Sequence, residues 1–133
     1  MSLVVDASVA AKWVLPEPDS SQAERLRQSG EALIAPTLVL AEIGNAVWKR
    51  AIRGELTAAD AESAVRLAAV LFSSLLPMEQ LAIRANALAI GLRHPIYDCF
   101  YLALAEREDA TLVTADARLI VAAKKARVRV RPL

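Results

Sequence analysis

Four acids in this chain, Asp6, Glu42, Asp98 and Asp116, stand where carboxylates can gather around a cation. Asp6 closes the apolar run SLVV, and Asp116 follows TLVT by one residue, so each lies just past a stretch that reads as a strand. Asp98 falls in the first turn of a helix that starts after Pro95. Its sequence, YDCFYLALA, is apolar nearly all round, which predicts burial and requires a partner for the charge. Glu42 lies in the first half of another helix, where Leu40, Ile43 and Val47 share one sector and Glu42, Asn45 and Lys49 a second. It therefore sits at the border of the core and faces something polar.

Taken singly, each acid has an ordinary reading. Asp at a helix start is usually a cap that suits the helix dipole, and Glu42 can pair with Lys49 or Arg50 on a solvated face. Together they read differently, because among the residues flanking Asp6, Asp98 and Asp116 only Arg118 offers a nearby cation. Carboxylates about 5 Å apart repel by roughly 3 kcal/mol per pair at an effective dielectric near 20. A hard divalent ion relieves this, and Mg²⁺ or Mn²⁺ suits an all-oxygen site that keeps waters and shares ligands with phosphate. The matching chemistry is phosphodiester hydrolysis, in which the metal activates water and stabilises the leaving oxygen. Ser8 and Thr114, each two residues from an acid, are placed to orient a carboxylate or a water.

The elements that must position these groups can be read along the chain. Residues 2 to 6 read as a buried strand, Ala7 to Leu15 as a helix ended by the Pro16 and Pro18 segment, and a second helix runs from Asp19 or Ser20 to about Gly30. Ala32 to Ala35 is a strand; Pro36 suits the first turn of a helix that continues to Arg53 and stops at Gly54. Thr57 with Asp60 resembles a capping box and opens a helix to about Ser74, with an extended stretch near Leu75 to Met78. Helices follow over Glu79 to Leu92 and from Ile96 or Tyr97 to Glu108. Thr111 to Thr114 is a strand, Asp116 to Ala126 a helix, and Arg127 to Arg131 (RVRVR) a final strand with strict alternation. Strands separated by helices predict right-handed crossovers: an α/β fold, a three-layer α/β/α sandwich with a mainly parallel sheet of four to five strands. Ligands bind at the carboxyl edge of such sheets, where Asp6 and Asp116 both fall.

A chain of 133 residues supports one core, so residues 1–133 are expected to form a single domain. The hydrophobic fraction of 56% rests on Ala, Leu and Val rather than aromatics, which leaves apolar surface for a partner. MSLVVDAS carries no basic leader, and no stretch is long enough to span a bilayer; a cytoplasmic protein without membrane contact is expected. The single cysteine, Cys99, excludes an intrachain disulfide and a cysteine-based zinc cluster. The net charge of +1 is too small for binding nucleic acid by phosphate contacts alone, but its distribution is uneven: after Asp116 there are no acids, while Arg118, Lys124, Lys125, Arg127, Arg129 and Arg131 follow.

The blocks VVDASVAAKW, LAEIGNAVWK, HPIYDCFYLALA and LVTADARL resemble, in order and across nearly the whole chain, the four acidic motifs of the PIN domain, and most of all the VapC-like toxins of prokaryotic toxin-antitoxin pairs. The resemblance implies a Rossmann-like sandwich, a Mg²⁺- or Mn²⁺-dependent endoribonuclease acting on RNA, a homodimer, and inhibition by a cognate antitoxin protein. By position it implies metal-site roles for Asp6, Glu42, Asp98 and Asp116 and supporting hydroxyls at Ser8 and Thr114, with Asn45 as a further polar neighbour.

Other residues have plainer readings. His94, the only histidine, reads as a surface loop residue with nothing to orient it, Cys99 as a small buried hydrophobe, and Trp13 and Trp48 as core or interface groups. The arginines of RVRVR protect a sheet edge or contact RNA or an acidic antitoxin segment. VRLAAVLFSSLL is more apolar than one buried face requires and predicts a dimer or antitoxin surface. A phosphatase or phosphoacceptor domain is the rival enzyme; it requires a second acid two residues past the nucleophilic Asp, or a phosphate-binding Lys near the last strand. A non-catalytic binding module, with every acid a cap, is the other rival. The scattered glycines form no phosphate loop.

Overall fold

Residues 2–133 are described in a computed structural model. The short β-branched run of β1 (Ser2–Val5) is followed by α1 (Ala7–Val14) and α2 (Ser20–Arg27), then β2 (Ala32–Pro36), α3 (Leu38–Ile52) and α4 (Ala58–Leu71). β3 (Ser74–Leu76), a single 3-10 turn at Met78–Gln80, α5 (Ala82–Leu92), α6 (Ile96–Glu108), β4 (Thr111–Thr114), α7 (Ala117–Lys125) and β5 (Val130–Pro132) complete the chain.

The five strands form one parallel sheet in the order β3-β2-β1-β4-β5. The expected three-layer sandwich is present. Right-handed crossovers put α1 to α4 on one face and α5 to α7 on the other, and the helices pack accordingly: α1 against α2, α3 and α4, and α5 against α6. β1 is central and buried, with Val4 and Val5 fully covered, and α6 is buried from Cys99 to Ala105. Those two elements carry Asp6 and Asp98, so the core is what fixes their backbone. No described helix is long and apolar enough to cross a membrane.

Several element boundaries shift, each for a tertiary reason. Pro36 ends β2 rather than opening α3, because the β2–β3 ladder continues through it: Pro36 lies opposite Leu76, and the Thr37 amide donates to the Leu76 carbonyl at 2.8 Å. α4 stops at Leu71, since Phe72 turns into the core against Trp13 and Ser74 pairs with Ile34. The capping reading at Thr57 holds, its side chain accepting from the Asp60 amide at 3.0 Å. The last strand is shorter than RVRVR: Arg127 has a left-handed backbone (φ 59°), and pairing starts only at Val130. Val128 is nonetheless buried, and Arg129 is held by Asp109, its Nη1 donating to Oδ1 at 3.0 Å. β5 is an edge strand, as the protective reading of its arginines requires.

Candidate active site

The strand order reverses between β1 and β4, the neighbours from which the chain leaves in opposite directions. In open parallel sheets the crevice beyond the carboxyl ends at that point is where ligands bind. Asp6 follows β1 there, with its backbone amide donating to the Val113 carbonyl of β4 at 3.1 Å. Its side chain does not cap α1. Instead the Ser8 hydroxyl donates to Oδ2 at 2.8 Å and the Thr114 hydroxyl to the same oxygen at 2.6 Å. Both hydroxyls are held in turn, Ser8 Oγ by the Ala115 amide at 3.1 Å and Thr114 Oγ1 by the Asp116 amide at 3.0 Å. Asp6 and Thr114 are the buried polar residues of the described chain. Burial pushes the Asp6 carboxyl above its ordinary pKa; the two hydroxyls pull it back, and the charge of Asp98 raises it again.

Glu42 is half-buried on α3, at the core border that its spacing predicts. Its polar partner is the Tyr101 hydroxyl, which donates to Oε1 at 2.6 Å, and not Lys49 or Arg50. Arg50 is engaged by Glu17 and Glu55. Burial raises the Glu42 carboxyl, the Tyr101 hydrogen bond lowers it, and the charges of Asp6 and Asp98 raise it further. Tyr101, itself buried, is pushed well above the usual phenol value by burial and by Glu42. Asp98 is less buried than its apolar helix suggests: its side chain is 24% exposed. Its partner is His94, whose Nε2 lies 2.6 Å from Oδ2. His94 is thus no plain surface residue; its side chain is 10% exposed. His94 reads from sequence only as a surface loop residue, although its four-residue spacing from Asp98 is visible there, and nothing local ties Tyr101 to Glu42, 59 positions away. The thiol of the buried Cys99, beside Asp98, is pushed up to about 11 by burial and that charge, in keeping with a packing role.

Asp116 is placed differently. Its Oδ1 accepts from the Arg118 and Leu119 amides at 2.8 and 3.4 Å, the geometry of a helix cap. It is not among the charges that act on Asp6 or Glu42. The structure thus brings Asp6, Glu42 and Asp98 within electrostatic reach of one another and turns each toward its own donor. Among the described residues no three His, Cys, Asp or Glu side chains are grouped closely enough to enclose an ion in this conformation. The donor set still fits a hard cation: it is all oxygen, and two of its carboxyls carry the raised pKa values that a positive charge would relieve. Beside it opens a cleft of about 640 Å³ lined by Ser8, Glu42, Asn45, Lys12, Lys49 and Tyr97.

Residues 3–125 match the family model of the PIN domain. The chain belongs to the PIN-domain family. Ribonuclease VapC3 of Pyrobaculum aerophilum is 36% identical over 121 residues, which span 90% of this chain and 92% of that protein. Ribonuclease VapC9 of Mycobacterium tuberculosis is 38% identical over 122 residues, 88% of this chain and 87% of that one. VapBC2 from Rickettsia felis, solved bound to a DNA fragment from their promoter, shares the fold with a TM-score of 0.69 over 100% of this chain and 99% of that chain, at 15% identity. The rival phosphoacceptor reading finds no support in this PIN-domain site: the residue two past Asp6 is Ser8, and its hydroxyl is spent on Asp6.

Proposed function

We propose that this PIN-domain chain is an endoribonuclease that cleaves RNA phosphodiester bonds with a bound Mg²⁺ or Mn²⁺, and that it is the toxin of a VapBC-type toxin-antitoxin pair. The observation that carries this reading is the Asp6 carboxylate, buried at the switch point, gripped by two hydroxyls and loaded with the charge of Asp98. A protein tolerates such a group when a ligand repays it. Membership of the PIN-domain family and the VapC relatives support the same activity.

In the proposed reaction Asp6, Glu42 and Asp98 hold the ion, with Asp116 as a fourth acid on the β4 side. The bound ion supplies an activated water and neutralises the phosphate. Ser8 and Thr114 fix the Asp6 carboxylate in one orientation, leaving their shared acceptor Oδ2 committed and Oδ1 untouched by either hydroxyl. Tyr101 does the same for Glu42 and His94 for Asp98, so that three acids are pre-aimed by four partner side chains. Lys49 lines the adjoining cleft, where it meets the phosphates of an RNA strand, while Lys12 there is paired with Glu17 at 3.3 Å.

The 133 residues act as one nuclease domain in the cytoplasm, as a homodimer held by an antitoxin. Trp48 and Ile52 at the end of α3 and Val65, Leu67 and Val70 on its neighbour α4 leave an apolar surface for such contacts; Val70 is 73% exposed. Metal-dependent cleavage of a mixed RNA pool by wild type and Asp98→Asn, with Mn²⁺ binding followed alongside, tests the reading. Cleavage and Mn²⁺ affinity should both fall in the variant. Full activity in chelator, or equal activity in both proteins, overturns it.

A further inference from the structure

Beside His94 lies a second concavity, about 240 Å³, between the end of α5 and the length of α7. It is lined by Leu92, Arg93, His94, Arg118, Val121 and Lys125, with Ala122 beneath. Its three full cations are exposed, and none makes an ion pair among the described residues. No acid lines it. Two of the cations sit where a chain built only for stability would not put them. Arg93 closes α5 with a left-handed backbone, φ 52°, a conformation that glycine adopts without strain. Arg118 occupies the first turn of α7, the positive end of the helix dipole, where cations are disfavoured. Arg118 and Lys125 are seven residues apart on one helix, so the trough runs on the order of 10 Å along α7 at 1.5 Å per residue. It meets the acidic site at two points, through His94 to Asp98 and through the Arg118 amide to Asp116.

We infer that this trough is a phosphate-binding track for single-stranded RNA, in which Arg93, Arg118 and Lys125 hold backbone phosphates beyond the scissile bond. The inference rests on the ribonuclease reading for the source of the strand, and it adds a second arm to the substrate path opposite the Lys12–Lys49 cleft. A continuous row of cations leading away from acids gives an extended polyanion a direction: repelled by the carboxylates everywhere except where a metal neutralises them, and held by the trough on one side. Val121, 53% exposed, and Leu92 give an apolar strip against which a ribose or base can rest.

The test is the affinity of an RNA 12-mer, kept intact by chelator, by fluorescence anisotropy across a salt series, for wild type and for Arg93→Gln/Arg118→Gln/Lys125→Gln. A control, Arg25→Gln/Arg53→Gln/Arg66→Gln, removes equal charge from the opposite helical layer. Three lost phosphate contacts should weaken binding about a hundredfold at 0.1 M salt and flatten the slope of log affinity against log salt by about 2, with the difference vanishing near 1 M. The control should move little. Equal behaviour of the two triple variants, or no binding by wild type, overturns the track. So does a trough variant that loses affinity for a polyglutamate peptide but not for RNA, which would make the trough a protein contact. Wild type that binds the 12-mer yet cleaves no RNA with Mg²⁺ or Mn²⁺ would break the ribonuclease reading and leave the track standing.

Discussion

Asp6 and Asp116 occupy equivalent places in the fold: each is the residue before the helix that follows one of the two central strands, β1 and β4. Their carboxylates do opposite things. Asp116 turns onto its own helix and accepts from the Arg118 and Leu119 amides. Asp6 makes no cap bond and is taken instead by Ser8 and by Thr114, the latter from the neighbouring strand. The difference comes from neighbours distant in sequence. Thr114 ends β4 directly beside β1 and presents its hydroxyl to Asp6, and the same hydroxyl accepts from the Asp116 amide. One threonine thus links the two acids while committing only the first to the buried site. A carboxylate in that position weakens the free protein, which is what a site awaiting a cation looks like energetically.

The largest effect should follow from Asp6→Asn. If Asp6 holds the proposed ion, removing its charge costs several kcal/mol of transition-state stabilisation, on the order of a thousandfold in kcat/KM for RNA cleavage. The same substitution should raise the thermal midpoint of the metal-free protein, because the desolvated charge is gone. Asp116→Asn should lose less activity and leave the midpoint nearly unchanged, since Asn caps as well as Asp. Equal losses from the two would break the contrast between them.

Next in size is Thr114→Val, which leaves the Asp6 carboxylate with Ser8 alone and strands the Asp116 amide. We expect about 1–3 kcal/mol of stability lost in urea titrations, with a clear fall in cleavage. Acidity sharpens the same point. With the folded-state pKa values of Asp6 and Glu42 raised, the folded chain holds more protons than the unfolded one between the ordinary and raised values. Stability in chelator should therefore fall as pH rises through that window and level off above the raised values. Urea midpoints between pH 4 and 8 measure it, and Mg²⁺ should recover stability on the alkaline side. Tyr101→Phe should cost roughly 1 kcal/mol and lower cleavage modestly by freeing Glu42. The smallest effect is on the cap: Asp116→Ala should lose about 1 kcal/mol, restored by Asn, with thermal melts as the readout.

Much of this was legible in the order of residues. Apolar runs of strand length separated by helical periods specify a parallel α/β sheet, and placing Asp6 and Asp116 after strands puts them on its carboxyl edge without knowledge of any contact. The alternation of Val128 and Val130 with arginines marked the edge strand, although its pairing began later than the pattern suggested. The periodicity of α3 put Glu42 at the core border. These features are local: they depend on which residues lie within a turn or a strand of one another.

What the sequence left open were the partners of the acids. Asp116 as a cap and Asp6 as a buried, hydroxyl-held charge share one local signature, an Asp before a helix. Only the packing of β1 against β4 separates them. Tyr101 reaches Glu42 across 59 positions, and Thr114 reaches Asp6 across 108, distances over which no periodicity carries information. The His94–Asp98 contact, by contrast, is local, closing over four residues at the start of α6. The fold class and the edge were set by short-range pattern, because backbone hydrogen bonding and apolar burial act locally. The raised pKa values of Asp6 and Glu42 were set by tertiary structure, since desolvation and like-charge repulsion depend on distance in space and not on position in the chain.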